Sequence, residues 1–215
     1  VTTGTPGTAD HQDAHTVTVS LYGYFFEKSV ENLATGEYPA TLAAPGDTLR
    51  YTVRLQTTDG AIDDFTISDD LGSMNALPTF EPGTLRFVPG TLPPGANTAN
   101  TNPSGGTNGD GYLEVGNLSL AAGDELTFQF DVTLAASLLD GTAVTNQADL
   151  ISGVKLADSD DPFVNGQASP DIDGDEDPTI VYVQAIPPEP IVKANTQDTA
   201  AIGETFSYTG TIPAT

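Results

Sequence analysis

The sequence predicts an all-β chain folded as an immunoglobulin-like antiparallel β-sandwich, and three observations carry that prediction. Apolar and polar residues alternate along short segments, turn residues separate those segments, and no stretch shows the periodicity of a long amphipathic helix. The alternation is plainest in two places. Leu49, Tyr51, Val53 and Leu55 share one face, with Arg50, Thr52, Arg54 and Gln56 on the other. Leu126, Phe128, Phe130, Val132 and Leu134 oppose Thr127, Gln129, Asp131 and Thr133 in the same way. Successive side chains of a strand point to opposite sides, so these patterns mark strands with one buried and one wet face. The turns fall at Ala44-Pro45-Gly46-Asp47, Glu81-Pro82-Gly83, Pro93-Pro94-Gly95 and Ala122-Gly123-Asp124. Residues 135–140 fit a short turn.

Composition agrees with many short strands. The 215 residues include 22 Gly and 16 Pro and are 38% hydrophobic, which leaves enough apolar chain for one core. The charge is one-sided: 30 Asp and Glu face 6 Lys and Arg, for a net charge of -24. Such a surface repels nucleic acid and anionic membranes and suits divalent cations or a saline medium. Cysteine is absent, which points toward the cytosol, since secreted domains often use disulfides, and which also fits surface proteins that cross-link by other chemistry. No apolar run reaches membrane-spanning length, so no insertion into a bilayer is expected. Without a starting Met or a secretory signal, the chain reads as a piece of a longer surface protein.

An internal repeat sets the domain register. Residues 15–28 and 178–193 each hold a β-branched strand, a short linker and an apolar strand ending in lysine, Lys28 and Lys193. Pro45-Gly46-Asp47-Thr48-Leu49-Arg50-Tyr51-Thr52 follows the first lysine, and Ile202-Gly203-Glu204-Thr205-Phe206-Ser207-Tyr208-Thr209 follows the second. The expected division is the tail of a preceding repeat over 1–22, a complete repeat with an acidic C-terminal extension over 23–185, and the start of the next repeat over 186–215. Pro187, Pro188 and Pro190 stiffen the second junction.

Period-2 parity also exposes three misfits. Lys28 shares a face with Phe26 and Val30, Asp69 with Phe65 and Ile67, and Asn146 with Val144, Ala148 and Leu150. A lysine, an acid and a carboxamide therefore point inward from three separate strands. Burial turns Lys toward the neutral amine, a nucleophile, and Asp toward the protonated acid. The acid can polarise the Asn carboxamide. Amine attack on that group, with loss of ammonia, gives an intramolecular isopeptide bond once a dry core holds the groups in contact. A buried Lys–Asp ion pair with Asn bonded to backbone, or a Lys28 that snorkels out at a strand end, fits the same parity.

The motifs that carry these residues resemble a known family. Lys28, Ala44-Pro45-Gly46-Asp47-Thr48-Leu49-Arg50-Tyr51-Thr52-Val53, Phe65-Thr66-Ile67-Ser68-Asp69-Asp70-Leu71, Leu118-Ser119-Leu120-Ala121-Ala122-Gly123-Asp124 and Val144-Thr145-Asn146-Gln147-Ala148 occur in the order seen in the conserved-repeat Ig-like domains of prokaryotic surface proteins (domain of unknown function eleven). The resemblance covers about residues 24–150, with a second onset over 191–210. It implies an extracellular, cell-surface module akin to adhesin and pilin sandwiches with acid-promoted Lys–Asn isopeptide bonds. Lys28 and Asn146 take the cross-linking roles, and Asp69 rather than Asp70 takes the promoting one. The stretch after Asn146 is longer than the family pattern.

That stretch is acidic. Asp158, Asp160 and Asp161, then Asp171, Asp173, Asp175 and Asp177, are candidate calcium ligands, since calcium takes six to eight oxygens. The spacing is not that of an EF-hand, and a solvated acidic loop is the plainer alternative. Asn117-Leu118-Ser119 has the form of a glycosylation sequon on an expected strand, residues 97–111 read as a long polar loop, and His11 and His15 are too few for a zinc site.

The expected function is a stalk or filament repeat, structural or adhesive, whose partners are neighbouring repeats or identical subunits. A glycan- or ligand-binding module dependent on calcium is the alternative. No nucleophile–His pair, metal triad or carboxylate pair suggests an enzyme acting on external substrates. Lys193 is the expected cross-linking lysine of the next repeat. Its segment expects cover either from a downstream repeat, the favoured case, or from strand exchange with another chain.

Overall fold

The structure is a computed structural model that describes residues 23–89, 92–168, 174–185, 192–195, 197–205 and 207–211. The expected tail of a preceding repeat, 1–22, with His11 and His15, lies outside these residues. The body contains β1 (Tyr24–Asn32), β2 (Leu42–Ala43), β3 (Thr48–Thr57), β4 (Ile62–Asp70), β5 (Thr79–Phe80), β6 (Arg86–Val88), β7 (Tyr112–Leu120), β8 (Glu125–Thr133), β9 (Ala143–Asn146), β10 (Asp149–Ser152), β11 (Val154–Asp158) and β12 (Thr179–Val183). Beyond it come β13 (Val192–Asn195) and β14 (Tyr208–Thr211), paired antiparallel. Helical structure among the described residues is limited to a 3-10 turn at Leu71–Ser73, where the Asp70 side chain accepts the Gly72 N–H.

The fold is the predicted all-β sandwich. One sheet runs β1-β3-β8-β5, with β6 also on β8, and the other runs β11-β10-β4-β7. A three-stranded sheet, β2-β12-β9, completes the body, and its β2–β12 pair is parallel. The alternating faces are the ones that meet: Leu49, Tyr51, Val53, Leu55, Phe128, Phe130 and Val132 from one sheet join Phe65, Ile67, Leu113, Val115 and Leu150 from the other in one apolar core. Burial of such side chains at about 25 cal/mol per Å² is what holds the two sheets together.

Two features depart from simple alternation. The segment 144–150, read as one strand, is two: β9 pairs with β12, and β10 pairs with β4. Parity survives the break, so Val144, Asn146, Ala148 and Leu150 are all buried. The second departure is β1, which is covered on both faces. Glu27 and Ser29, expected on the wet side, are buried as well. Gln167 of the acidic extension and Arg54 donate to Glu27, Tyr38 OH donates to Ser29 at 3.2 Å, and the extension also pairs along the strand edge. Asp160 forms a parallel bridge beside Glu27, with Lys28 N donating to Asp160 O at 2.7 Å and Asp160 N to Phe26 O at 2.9 Å. The extension thus adds backbone hydrogen bonds along the β1 edge that carries the lysine.

Candidate cross-linking site

The inward lysine, acid and carboxamide converge. Lys28 on β1, Asp69 on β4 and Asn146 on β9 are each no more than 2% exposed. Strand register explains the meeting. Lys28 stands opposite Val53 in one sheet, Asp69 opposite Leu113 in the other, and Asn146 opposite Thr179 in the third. Lys28 Nζ donates to Asp69 Oδ2, and Asn146 Nδ2 donates to the same oxygen at 3.4 Å. One carboxylate oxygen therefore brings the amine and the carboxamide together. The Asn146 backbone is fixed independently, because Thr179 Oγ1 donates to its carbonyl at 2.8 Å.

Aromatic rings wall the site. Lys28 Nζ lies 4.9 Å from the centroid of Tyr51 and 5.6 Å from that of Phe130, and these two rings stack at 5.5 Å. Tyr51 and Phe130 reach the site from the alternating core faces of β3 and β8, where periodicity marks them only as core. Their neighbourhood to Lys28 depends on the β1–β3–β8 register, which parity alone does not give.

The electrostatics follow from the dryness. Burial pushes the Lys28 amine below its ordinary value, and the attraction of Asp69 only partly offsets this. Burial pushes the Asp69 carboxyl up, against the pull of Lys28 and the Asn146 hydrogen bond. Both shifts move the pair toward neutral amine and protonated acid. The Tyr51 hydroxyl is also pushed up by burial and by the nearby Asp69. Asp69 Oδ1, Asn146 Oδ1 and Tyr51 OH are buried with no hydrogen-bond partner among the described residues. Such groups each cost about 1–3 kcal/mol when left unpaired. On its far side, Asn146 lines an open cleft of about 430 Å³ with Asp70, Thr145, Asp149 and Asp158.

Among the described residues, the candidate calcium ligands hold the following partners. Asp160 accepts the Asp177 N–H at 3.0 Å and the Ala168 N–H at 2.9 Å, one on each oxygen. Asp161 accepts the Phe163 N–H at 3.0 Å, Asp177 accepts from Asn165 at 2.7 Å, and Asp158 pairs with Lys155 at 2.6 Å. Asp175 sits in the 174–178 stretch, and Asp171 and Asp173 lie outside the described residues. Among the described residues no three acidic side chains are placed to share one metal ion. Asp160, Asp161 and Asp177 accept backbone and side-chain N–H groups of the loop. Asp160 and Asp161 are pushed above the ordinary carboxylate value, first by burial and then by neighbouring acids.

Asp70, next to the candidate acid, has a different job. Its carboxylate accepts the N–H groups of Gly72 and Thr107, at 3.0 Å each to Oδ1, and the Thr107 hydroxyl. Asn108 Nδ2 donates to Gly72 O at 2.7 Å. The polar loop foreseen over 97–111 is thereby tied to the end of β4. Asn117 of the sequon is exposed on β7. Lys193 is exposed on β13 with its Nζ 4.0 Å from the Tyr208 ring centroid.

No family model matches the sequence, and no curated protein matches it. Among solved structures, the fold is similar to a Corynebacterium diphtheriae protein named as membrane-anchored (TM-score 0.46, 12% identity, over 76% of this chain and 36% of that one). It is similar also to domains D2 and D3 of the major pilin SpaD from Corynebacterium diphtheriae (TM-score 0.40, 16% identity, over 66% and 58%). A third is the collagen-binding domain of a Staphylococcus aureus adhesin (TM-score 0.37, 10% identity, over 78% and 99%). The chain spans less than two thirds of the length of the first two.

Proposed function

We propose that this chain is a structural or adhesive module of an extracellular cell-surface stalk or filament, locked by an isopeptide bond between Lys28 and Asn146. The observation that carries the reading is the buried meeting of Lys28, Asp69 and Asn146 in an aromatic-walled core. The neutral Lys28 amine attacks Cγ of Asn146. Protonated Asp69 donates to the carboxamide oxygen, which a half-turn of the amide brings to the position now held by Nδ2. The Nζ–Cγ bond forms and the Cγ–Nδ2 bond breaks. The amine proton passes through Asp69 to the departing nitrogen, and ammonia leaves toward the cleft that Asn146 lines. No oxidant or cofactor is consumed, and the product is a neutral amide in a dry core, which removes the unfavourable burial of the Lys28 amine.

A bond between β1 and β9 ties the first and a late strand of the body together across about 120 residues. Tension applied at the two ends of the body would then pass through a covalent path. Intact mass tests the proposal: the protein should be lighter than its sequence by one ammonia. Lys28→Ala, Asn146→Ala and Asp69→Ala should each restore the full mass. A full mass in the unaltered protein refutes the bond.

One observation favours the ligand-binding alternative. Tyr38 and Phe163 form an exposed edge-to-face pair at 5.5 Å beside the acidic extension. Paired exposed rings suit the apolar face of a sugar. Loss of glycan binding in Phe163→Ala would support it, and failure of the protein to bind any glycan would end it.

A further inference from the structure

The hairpin β13–β14 repeats the geometry of β1–β3 in detail. Lys28 faces Val53, two residues beyond Tyr51, and Lys193 faces Gly210, two residues beyond Tyr208. In each hairpin the lysine Nζ lies over the ring of that tyrosine, at 4.9 Å for Tyr51 and 4.0 Å for Tyr208. The turns that lead into β3 and β14 match as well. Asp47 N donates to Ala44 O at 3.1 Å, and Glu204 N donates to Ala201 O at 3.1 Å. The same acids reach back, with Ala44 N donating to Asp47 Oδ2 at 2.8 Å and Ala201 N to Glu204 Oε2 at 2.7 Å. Gly46 and Gly203 both take the left-handed conformation, with φ of 85° and 92°.

Sequence similarity between two β-hairpins does not require this agreement. Register, diagonal lysine–tyrosine contact and reciprocal turn bonds are set by separate interactions, and all of them coincide. The lysine environments differ in one respect. Lys28 is sealed under the second sheet, whereas Lys193 and β14 are exposed. Among the described residues, Lys28 has over it the layer that brings the acid of β4 and the carboxamide of β9, and Lys193 has no such layer.

We infer that Lys193 is the nucleophilic amine of a second cross-link, half built in this hairpin. It is completed by an Asp-bearing and an Asn-bearing strand of the same pattern as β4 and β9, laid over Tyr208. The inference rests on the Lys28–Asn146 reading and extends it to a new site. The chemistry balances in the same way: Nζ of Lys193 bonds to the incoming Asn Cγ, and that residue's amide nitrogen leaves as ammonia. The partner is the remainder of a following repeat in the same chain, a segment with this repeat's own sequence pattern.

The test appends residues 55–185 after Thr211 of the full chain, which places Asp69 and Asn146 sequence downstream of Lys193 in the matching register. The product should be lighter than its sequence by two ammonias. Lys193→Ala should leave one, and Lys28→Ala should leave one. Loss of a single ammonia that Lys28→Ala abolishes would overturn the inference and leave the first cross-link standing. Loss of none would overturn both. Limited proteolysis of the Lys193→Ala form follows folding separately: an appended half that stays protease-labile shows that this hairpin cannot found the fold, which also overturns the inference.

Discussion

A double-mutant cycle on Lys28 and Asn146 separates a covalent bond from a buried ion pair. Lys28→Met keeps a long apolar side chain in the aromatic box, so the cavity it leaves is small. Asp69 can stay neutral in this variant, since burial already pushes its carboxyl up. The loss is then mainly the cross-link. Closing a loop of about 100 residues is worth about 4.7 kcal/mol in the chain-entropy account, so the loop between residues 28 and 146 is worth roughly 5 kcal/mol. A domain of this size shifts by about 2–4 °C per kcal/mol, which gives a fall in Tm of roughly 10–20 °C. Asn146→Ala should cost a similar amount, because either change removes the same bond. The double variant should cost little more than either single one, a coupling of roughly 5 kcal/mol. An ion pair behaves otherwise. Breaking it through Lys28 is expensive, but Asn146→Ala then forfeits one hydrogen bond, about 1–3 kcal/mol, and the two effects largely add. Calorimetry on the four proteins, with intact mass on each, decides between them. Additive losses with an unchanged wild-type mass would refute the covalent account.

Other outcomes follow from the same contacts. Tyr51→Phe should still lose ammonia, because the hydroxyl has no partner among the described residues, while Tyr51→Ala should slow or abolish the loss by admitting water; equal behaviour of the two, read by mass against time, would remove the aromatic wall from the mechanism. Burial raises the Asp70 carboxyl, but Thr107 and the Gly72 N–H outweigh it and hold it below its ordinary 3.8. A depressed folded value contributes stability that is present above the unfolded value and lost as pH falls through the folded one, so the Thr107 amide resonance should hold through the ordinary carboxylate value and shift only below it. A transition at or above the ordinary carboxylate value would contradict the hydrogen-bond assignment. Calcium is proposed to raise Tm through residues 158–177 by relieving repulsion among Asp160, Asp161 and Asp177; no shift at saturating calcium would leave these acids as loop-folding acceptors alone. Asp160→Ala should destabilise the extension, seen as faster amide exchange at Ala168 and Asp177, whose N–H groups it accepts.

The sequence by itself determined the faces of the strands. Residues two apart share a side whatever the strand's partners are, so the inward positions of Leu49, Phe130, Lys28, Asp69 and Asn146 were readable from periodicity alone. Turn chemistry marked where the strands end, again a local property. Pairing across the fold was not local. The break at Gln147 and Ala148, which sends β9 and β10 to different partners, leaves parity untouched and so leaves no trace in the pattern. Only the tertiary structure put Lys28 over Tyr51, gave Lys28 and Asn146 a shared oxygen on Asp69, and folded the acidic extension against the edge of β1. It also showed what Asp160 accepts. A run of Asp leaves open which N–H groups each carboxylate accepts, because those groups are set by the path of the backbone. Asp160 meets two of them, at Ala168 and Asp177, and residues eight and seventeen positions away are beyond what a local pattern encodes.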